Sequence, residues 1–387
     1  MSSRSEAASV SAGLSPLARL IHEAIARAGG WIPFDRFMAL ALYAPGLGYY
    51  ANASRKFGMT PASGSDFVTA PELSPLFGAA LARQVAQALD ASGTAEVWEF
   101  GAGSGALAAQ LLDALGERVV RYTIVDVSGA LRDRQRETLR RYGDRVAWVD
   151  TLPAAMRGVV VGNEVLDAMP VQLWRHDGTR WLQRGVVVDA NADVNANANA
   201  AFAWADRPSE RMPAALDDGP PGPVPAGTIT ETHQQAEAFI ATLAERLERG
   251  AVFFIDYGFP RAEYRHPQRS GGTLMCHRAH RADTDPLADV GQKDITAHVD
   301  FTGIALAAQD AGFDVVGYTS QAHFLLNCGL VELMEGADLI GRANAQKLVM
   351  EHEMGELFKV LGLAKGLDAS FAEQAIGFMH GDRTHTL

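Results

Sequence analysis

Five short apolar runs, Val97–Phe100, Tyr122–Val125, Val146–Val149, Val159–Val161 and Val252–Ile255, constrain this chain more than any other feature of it. None shows the strict polar–apolar alternation of a half-exposed strand, so each demands cover on both faces. A mostly parallel sheet wrapped by helices meets that demand, because the crossovers joining parallel strands lie on the two sheet faces. Helical stretches stand between the first runs where such crossovers belong. The expected fold class is therefore α/β, with a doubly wound, Rossmann-like sheet.

Around this centre the sequence predicts further parts. Leu14, Leu17, Leu20, Ile21 and Ile25 fall at helical spacing, Gly29-Gly30 ends that helix, and a second short helix is expected around 34–43. Thr69 and Glu72, with Pro71 between them, read as a capping box opening an amphipathic helix that runs to about Leu89. Between the fourth and fifth runs lies an insertion at about 171–228. Val171–Arg175 and Trp181–Val188 flank the turn signal Asp177-Gly178, which predicts a hairpin with a two-residue turn. The Asn/Ala-rich stretch Asn191–Ala201 and the Gly/Pro-rich stretch Asp217–Gly227 read as loop. Further strands are expected at Gly272–Arg278 and Phe313–Tyr318, with a helix at about 301–311 between them, and residues 330–387 read as helical, broken at Gly362 and Gly366. The implied division is an N-terminal helical extension at 1–63, the sheet domain with its inserted β-hairpin arm at 64–330, and C-terminal helices at 331–387.

Composition narrows the function. A net charge of −12, from 46 acids against 34 bases, repels phosphate backbones and argues against a nucleic-acid partner. The one dense basic stretch, Arg132 to Arg145, is interleaved with acids and reads as a solvated helix face. No apolar run approaches the roughly 18 to 20 residues needed to cross a bilayer, and Arg4, Glu6, Arg19 and Glu23 stand where a signal peptide would be apolar. A cytoplasmic protein without a membrane span is the expectation. Two cysteines, Cys276 and Cys328, with no CxxC spacing, give neither a disulfide framework nor a metal site and read as buried free thiols.

The segment Glu99-Phe100-Gly101-Ala102-Gly103-Ser104-Gly105 carries the chemistry. Glycines at alternating positions let the backbone bend tightly and approach a ligand with no Cβ in the way, and the alanine- and leucine-rich helix that follows offers its positive end to a carboxylate. A dinucleotide site uses G-x-G-x-x-G instead, and an acid two residues before the first glycine would repel a pyrophosphate. Near an ammonium and a sulfonium the same acid is favourable. S-adenosylmethionine is thus the expected cofactor, held by Glu99, Gly101, Ala102, Gly103 and Gly105. Asp126 ends the second strand 21 residues past Gly105, the place of a ribose acceptor in such folds. Val127 and Ser128 follow it, Ser128 being placed chiefly to cap the next helix. Asp150, Thr151 and Leu152 end the third strand where the adenine would lie.

The fourth strand runs into Gly162-Asn163-Glu164-Val165-Leu166-Asp167-Ala168-Met169-Pro170. Two carboxylates and an amide within five residues suit the acceptor side of a methyl transfer, where the protein must hold the nucleophile and take a proton. Asn163, Glu164 and Asp167 are the expected catalytic residues, and a guanidinium would suit them through bidentate hydrogen bonds. Asp66 reads as fixing a turn, Asp256-Tyr257-Gly258 as a wall of the pocket, and Asp300 as the cap of the helix at Phe301, with His298 a structural neighbour.

Taken in order, Asp66-Phe67-Val68-Thr69-Ala70-Pro71-Glu72 with Phe77-Gly78, the Glu99–Gly105 loop, Asn163-Glu164…Asp167-Ala168 with Pro170, Ile255-Asp256-Tyr257-Gly258, and Asp294–Phe301 resemble the MidA-like methyltransferases. This family includes a mitochondrial complex I assembly factor that methylates an arginine of a core subunit. The resemblance covers roughly residues 15 to 330. It implies a class I methyltransferase fold, S-adenosylmethionine as donor, and a protein arginine as acceptor, on a complex I subunit or another protein partner. Ser65 and Asp126 stand where the family pattern has a glycine and a glutamate. Three other functions remain open on the sequence: methylation of a small molecule, a non-catalytic assembly factor that binds the cofactor for stability, and, as the outsider, a nicotinamide-linked oxidoreductase.

Overall fold

A computed structural model describes residues 14–52, 68–126, 128–189, 202–216 and 223–387. Ser65, Asp66, Phe67, Val127, the Asn191–Ala201 stretch and the first half of Asp217–Gly227 lie outside the described residues. The chain forms two compact units, one of Met1–Arg55, Ala168–Gln235 and Arg265–Ala297, the other of Lys56–Asp167, Ala236–Tyr264 and His298–Leu387.

The second unit holds the expected sheet. Its strands are β1 (Glu96–Phe100), β2 (Arg121–Val125), β3 (Val146–Val149), β4 (Met156–Asn163), β5 (Leu247–Phe259), β6 (Asp314–Ser320) and β7 (Phe358–Lys365). They lie in the order β6-β7-β5-β4-β1-β2-β3, and the pair Val299–Asp300 adds a short parallel bridge to β5. Strands β1 to β5 are mutually parallel where they pair. The chain moves outward from β1 through β2 to β3 and then returns to the other side of β1. That reversal marks the carboxyl ends of β1 and β4 as the usual ligand position in a doubly wound sheet.

Strand β7 corrects the reading of 330–387 as helical. It runs antiparallel to both β5 and β6, with Gly362 inside it opposite Phe253. A fully buried central strand has no alternation to reveal it, and its length alone did not separate it from a helical turn. Gly362 breaks no helix there. An added Cβ would meet the Phe378 ring at 2.7 Å, so the residue is a site of close packing.

The capping box also needs correction. Thr69 precedes a helix of a single turn, Ala70–Leu73, and makes no side-chain cap. The long helix α1 (Pro75–Ser92) starts afresh from Ser74, whose hydroxyl accepts from the Leu76 amide at 3.3 Å, and ends at Gly93 in the left-handed region. Phe77, Leu81 and Val85 of α1 join Leu107 and Leu111 of α2 (Ala106–Leu115) in one core with Val97, Tyr122, Ile124, Val159 and Val161 of the sheet. Burial of each such large side chain contributes roughly 1.5–3 kcal/mol. Gly78 lets the two helices meet closely, since an added Cβ would stand 2.4 Å from Gln110 Cβ.

The first unit contains helices Pro16–Arg27 and Phe34–Tyr43 and a five-stranded antiparallel sheet built from Ile32–Pro33, Gln172–His176, Trp181–Val188, Phe202–Arg207 and Ile229–Thr232. The hairpin is present, but its turn spans Asp177 to Arg180 instead of two residues. The Asp177 carboxylate organises it by accepting from the Thr179 and Arg180 amides and the Thr179 hydroxyl, which holds its pKa below the usual carboxylate range. A three-stranded sheet, Met275–Arg278, Arg281–Asp283 and Asp294–Thr296, completes this unit. Cys276 and Cys328 are buried and free. Among the described residues no helix is long and apolar enough to cross a membrane, and no cluster of ligating side chains could hold a metal ion.

Candidate functional site

The bend after β1 is built as its glycines require. Gly101, Gly103 and Gly105 have φ of 63°, 52° and 85°, in the left-handed region where a Cβ costs roughly 1–2 kcal/mol. Gly101 is also crowded, because an added Cβ would lie 3.1 Å from Val165 Cγ2 on the loop after β4. Ala102 is buried. Ser104 faces inward, donating its hydroxyl hydrogen to Glu72 and accepting from the Ala106 amide at 3.3 Å. Glu72, read from sequence as part of a cap, therefore anchors the glycine bend. Gly105 begins α2 without a capping side chain.

Glu99 does not project into open solvent. It is 2% exposed, and the Tyr122 hydroxyl donates to its Oε2 at 2.7 Å. Burial, opposed by that hydrogen bond and reinforced by nearby Asp126, pushes its carboxyl up to about 8. At neutral pH it therefore carries a proton until a cation arrives to favour the charged form.

Beyond β2, Asp126 is buried. Its Oδ1 accepts from the Ser128 amide at 2.8 Å and its Oδ2 from Gln135 Nε2 at 2.8 Å. Burial raises its pKa against these bonds and the charge of Arg132. Ser128 caps α3 (Gly129–Leu139), its hydroxyl accepting from the Leu131 amide at 3.4 Å. Beyond β3, Asp150 and Thr151 are exposed and Leu152 is half-buried. The tips of these strands adjoin: the Gly101 amide donates to the Val125 carbonyl at 3.4 Å and the Asp126 amide to the Val149 carbonyl at 3.2 Å.

The loop after β4 lies beside the glycine bend. Asn163 Nδ2 donates to Glu164 Oε1 at 2.7 Å, while Asn163 Oδ1 is buried with no hydrogen-bond partner among the described residues. Glu164 takes φ of 55°, a strained conformation for a residue with a Cβ. The Glu164 amide donates to the Ile255 carbonyl at 2.8 Å, and the residues after it are held by Asp256, at the end of β5 and 1% exposed. Its Oδ2 accepts from three successive amides, Val165 at 3.1 Å, Leu166 at 2.8 Å and Asp167 at 3.3 Å, and its Oδ1 from the Tyr257 amide at 3.0 Å. Burial and the charges of Asp167 and Glu164 drive the Asp256 pKa well above its ordinary value. Asp256 is thus a fastener of the loop, a role that its reading as a wall did not include.

The remaining candidates settle into structural places. Asp300 caps the helix Phe301–Asp310 through the Gly303 amide at 3.1 Å and pairs with Arg261 at 3.1 Å. His298 stacks on Phe259, with ring centroids 5.2 Å apart, and meets Tyr257 edge-on at 5.0 Å. One residue escaped the sequence reading altogether. Gln135 sits inside the Arg132–Arg145 stretch read as a solvated face, yet is fully buried against the strand tips. The signal was present, because Leu131, Gln135, Thr138 and Leu139 are uncharged at helical spacing in a run otherwise made of charges.

Comparison with known proteins agrees with this geometry. Residues 80–319 match a family described as putative S-adenosyl-L-methionine-dependent methyltransferase. The chain is 51% identical to a likely methyl transferase from Burkholderia thailandensis whose crystal structure is bound to S-adenosyl-homocysteine, with 96% of each chain covered and a TM-score of 0.88. It is 26% identical to the protein arginine methyltransferase NDUFAF7 homolog, mitochondrial, of Caenorhabditis elegans, over 79% of this chain and 74% of that one. For the Danio rerio protein arginine methyltransferase NDUFAF7, mitochondrial, the figures are 27%, 80% and 75%. With its reversed strand order, antiparallel seventh strand and glycine bend, the chain belongs to this MidA-like family of S-adenosylmethionine-dependent methyltransferases of the class I fold.

Proposed function

We propose that this methyltransferase modifies a guanidinium nitrogen of an arginine in a protein partner. The observation that carries the proposal is the acidic loop after β4, where Glu164, Asp167 and Asp256 gather with Asn163 next to the glycine bend. The charges of Glu164 and Asp167 bear on the buried Asp256 and help raise its pKa, and a cationic acceptor relieves that crowding of acids. The relatives named as protein arginine methyltransferases support the same reading.

On this proposal Glu99, Gly101, Ala102, Gly103, Gly105, Asp126, Val127, Ser128, Asp150, Thr151 and Leu152 hold the cofactor. The residues fit it: the left-handed backbone at Gly101, Gly103 and Gly105 favours glycine, an added Cβ at Gly101 would press on Val165 Cγ2 at 3.1 Å, and each Asp126 oxygen, with one hydrogen bond, keeps a lone pair for a hydroxyl donor. When bound, S-adenosylmethionine supplies a methyl group activated by its positive sulfur. Glu164 and Asp167 grip the guanidinium through charge-assisted hydrogen bonds and take the proton it loses. Asn163 orients Glu164 through its amide donor and offers Oδ1 to a substrate N–H. Asp256 positions the loop without touching substrate.

The test uses labelled methyl donor, the purified chain, and a protein extract from cells lacking it, with a complex I subunit as the first purified acceptor. Mass spectrometry should find methylarginine in one protein. Glu164→Gln should lower the rate by about 10²-fold or more, the ordinary weight of a proton acceptor, while S-adenosylhomocysteine binds as before. Label on a small metabolite, or on a residue other than arginine, would overturn the proposal.

A further inference from the structure

The geometry points to Gln135 as the residue that positions Asp126 for the cofactor's ribose. The inference rests on the reading of Asp126 as the ribose acceptor. Gln135 is 0% exposed in the middle of α3, and every polar hydrogen and its oxygen are committed. Nε2 donates to the Gly103 carbonyl at 3.1 Å and to Asp126 Oδ2 at 2.8 Å. Oε1 accepts from Trp148 Nε1 of β3 at 3.0 Å. Turning the amide over would set its oxygen against a carbonyl and a carboxylate and its N–H groups against an indole N–H, so the network admits one orientation.

One side chain thereby joins the tips of three strands: the bend after β1, the acid after β2, and β3 just before Asp150. Thr138, one turn further along α3, adds a second tie from its hydroxyl to the Ser104 carbonyl at 2.8 Å. With Gln135 and the Ser128 amide each taking one lone pair, each Asp126 oxygen retains another, and its direction is fixed before a ligand arrives. Preorganisation of this kind lowers the ordering cost of binding.

The test is a cycle between side chain and ligand on the full chain. Gln135→Met keeps the volume and removes the amide. Calorimetry is run with S-adenosylhomocysteine and with its 2′,3′-dideoxy analogue, which lacks the ribose hydroxyls. Loss of a hydrogen bond to a charged group is worth about tenfold in affinity, so the variant should bind S-adenosylhomocysteine about tenfold more weakly than the parent and the analogue equally well. Equal losses for both ligands would mark a merely structural residue, and no loss for either would show no role; each overturns the inference. Asp126→Asn, measured in parallel, should show the same selectivity. If it does not, the ribose assignment fails and the inference with it, whereas selectivity in Asp126→Asn alone removes only the role of Gln135. Gln135→Glu, close to isosteric, serves if the Met variant does not fold: at pH 8 its carboxylate faces that of Asp126, and binding that is not selectively weakened there overturns the inference too.

Discussion

Replacing Glu99 by Gln should stabilise the protein at neutral pH while weakening its hold on the cofactor. The carboxyl is raised from 4.5 to about 8 by burial. Because its folded pKa lies above the unfolded value, the folded state binds this proton more tightly. The stability it contributes is complete below about pH 4.5 and is lost as pH rises toward 8. At 1.36 kcal/mol per pH unit, the loss amounts to roughly 3 kcal/mol at pH 7 and on the order of 5 kcal/mol by pH 9. Gln keeps an oxygen for the Tyr122 hydroxyl and has no charge to bury, so Glu99→Gln escapes the loss. Urea unfolding of both proteins from pH 4 to 9, without cofactor, reads the difference. The two curves should coincide near pH 4 and separate by roughly 3 kcal/mol at pH 7. Parallel curves would refute the buried, proton-bearing Glu99. The same reasoning requires that binding of the cationic cofactor to the parent release a proton near pH 7, seen as a dependence of the binding heat on the buffer's ionisation enthalpy, and that Glu99→Gln abolish this release.

Three further outcomes follow from the site. Glu164→Gly relieves the left-handed strain at φ of 55°, so the melting temperature should rise, by about 1 kcal/mol of stability, as methyl transfer falls; a lower melting temperature would refute the strain. Asp256→Ala strips the acceptor from four backbone amides and should cost roughly 3 kcal/mol in denaturant unfolding, whereas Asp256→Asn, which keeps one acceptor and sheds charge repulsion, should cost clearly less; equal costs would show that the amides find water instead. Asp300→Ala removes a helix cap and an ion pair, so it should lose about 1–2 kcal/mol of stability with the rate per folded molecule unchanged, and a slower rate would place Asp300 in the chemistry.

The sheet was legible because its strands are too apolar to sit anywhere but between helices, and β1 to β5 fall where the Val-rich runs lie. The glycine bend was legible for a different reason: three alternating glycines have few uses other than left-handed backbone, and all three adopt it. Strand β7 was not, since eight residues buried almost throughout carry no periodic signature. The roles of Asp256 and Gln135 were hidden because both are decided by partners far away in sequence. Asp256 is fixed by amides some ninety residues earlier, and Gln135 by a carbonyl and an indole on separate strands. Ser128 and Asp300 were readable because a helix cap is local, its donor lying three residues on.

The most direct test of the cofactor cradle is a crystal structure of this chain grown with S-adenosylhomocysteine. The account predicts ligand density over Gly101–Gly105 with the ribose hydroxyls on Asp126 and the sulfur turned toward Glu164. Density at any other place on the chain, with the bend after β1 bare, would contradict it.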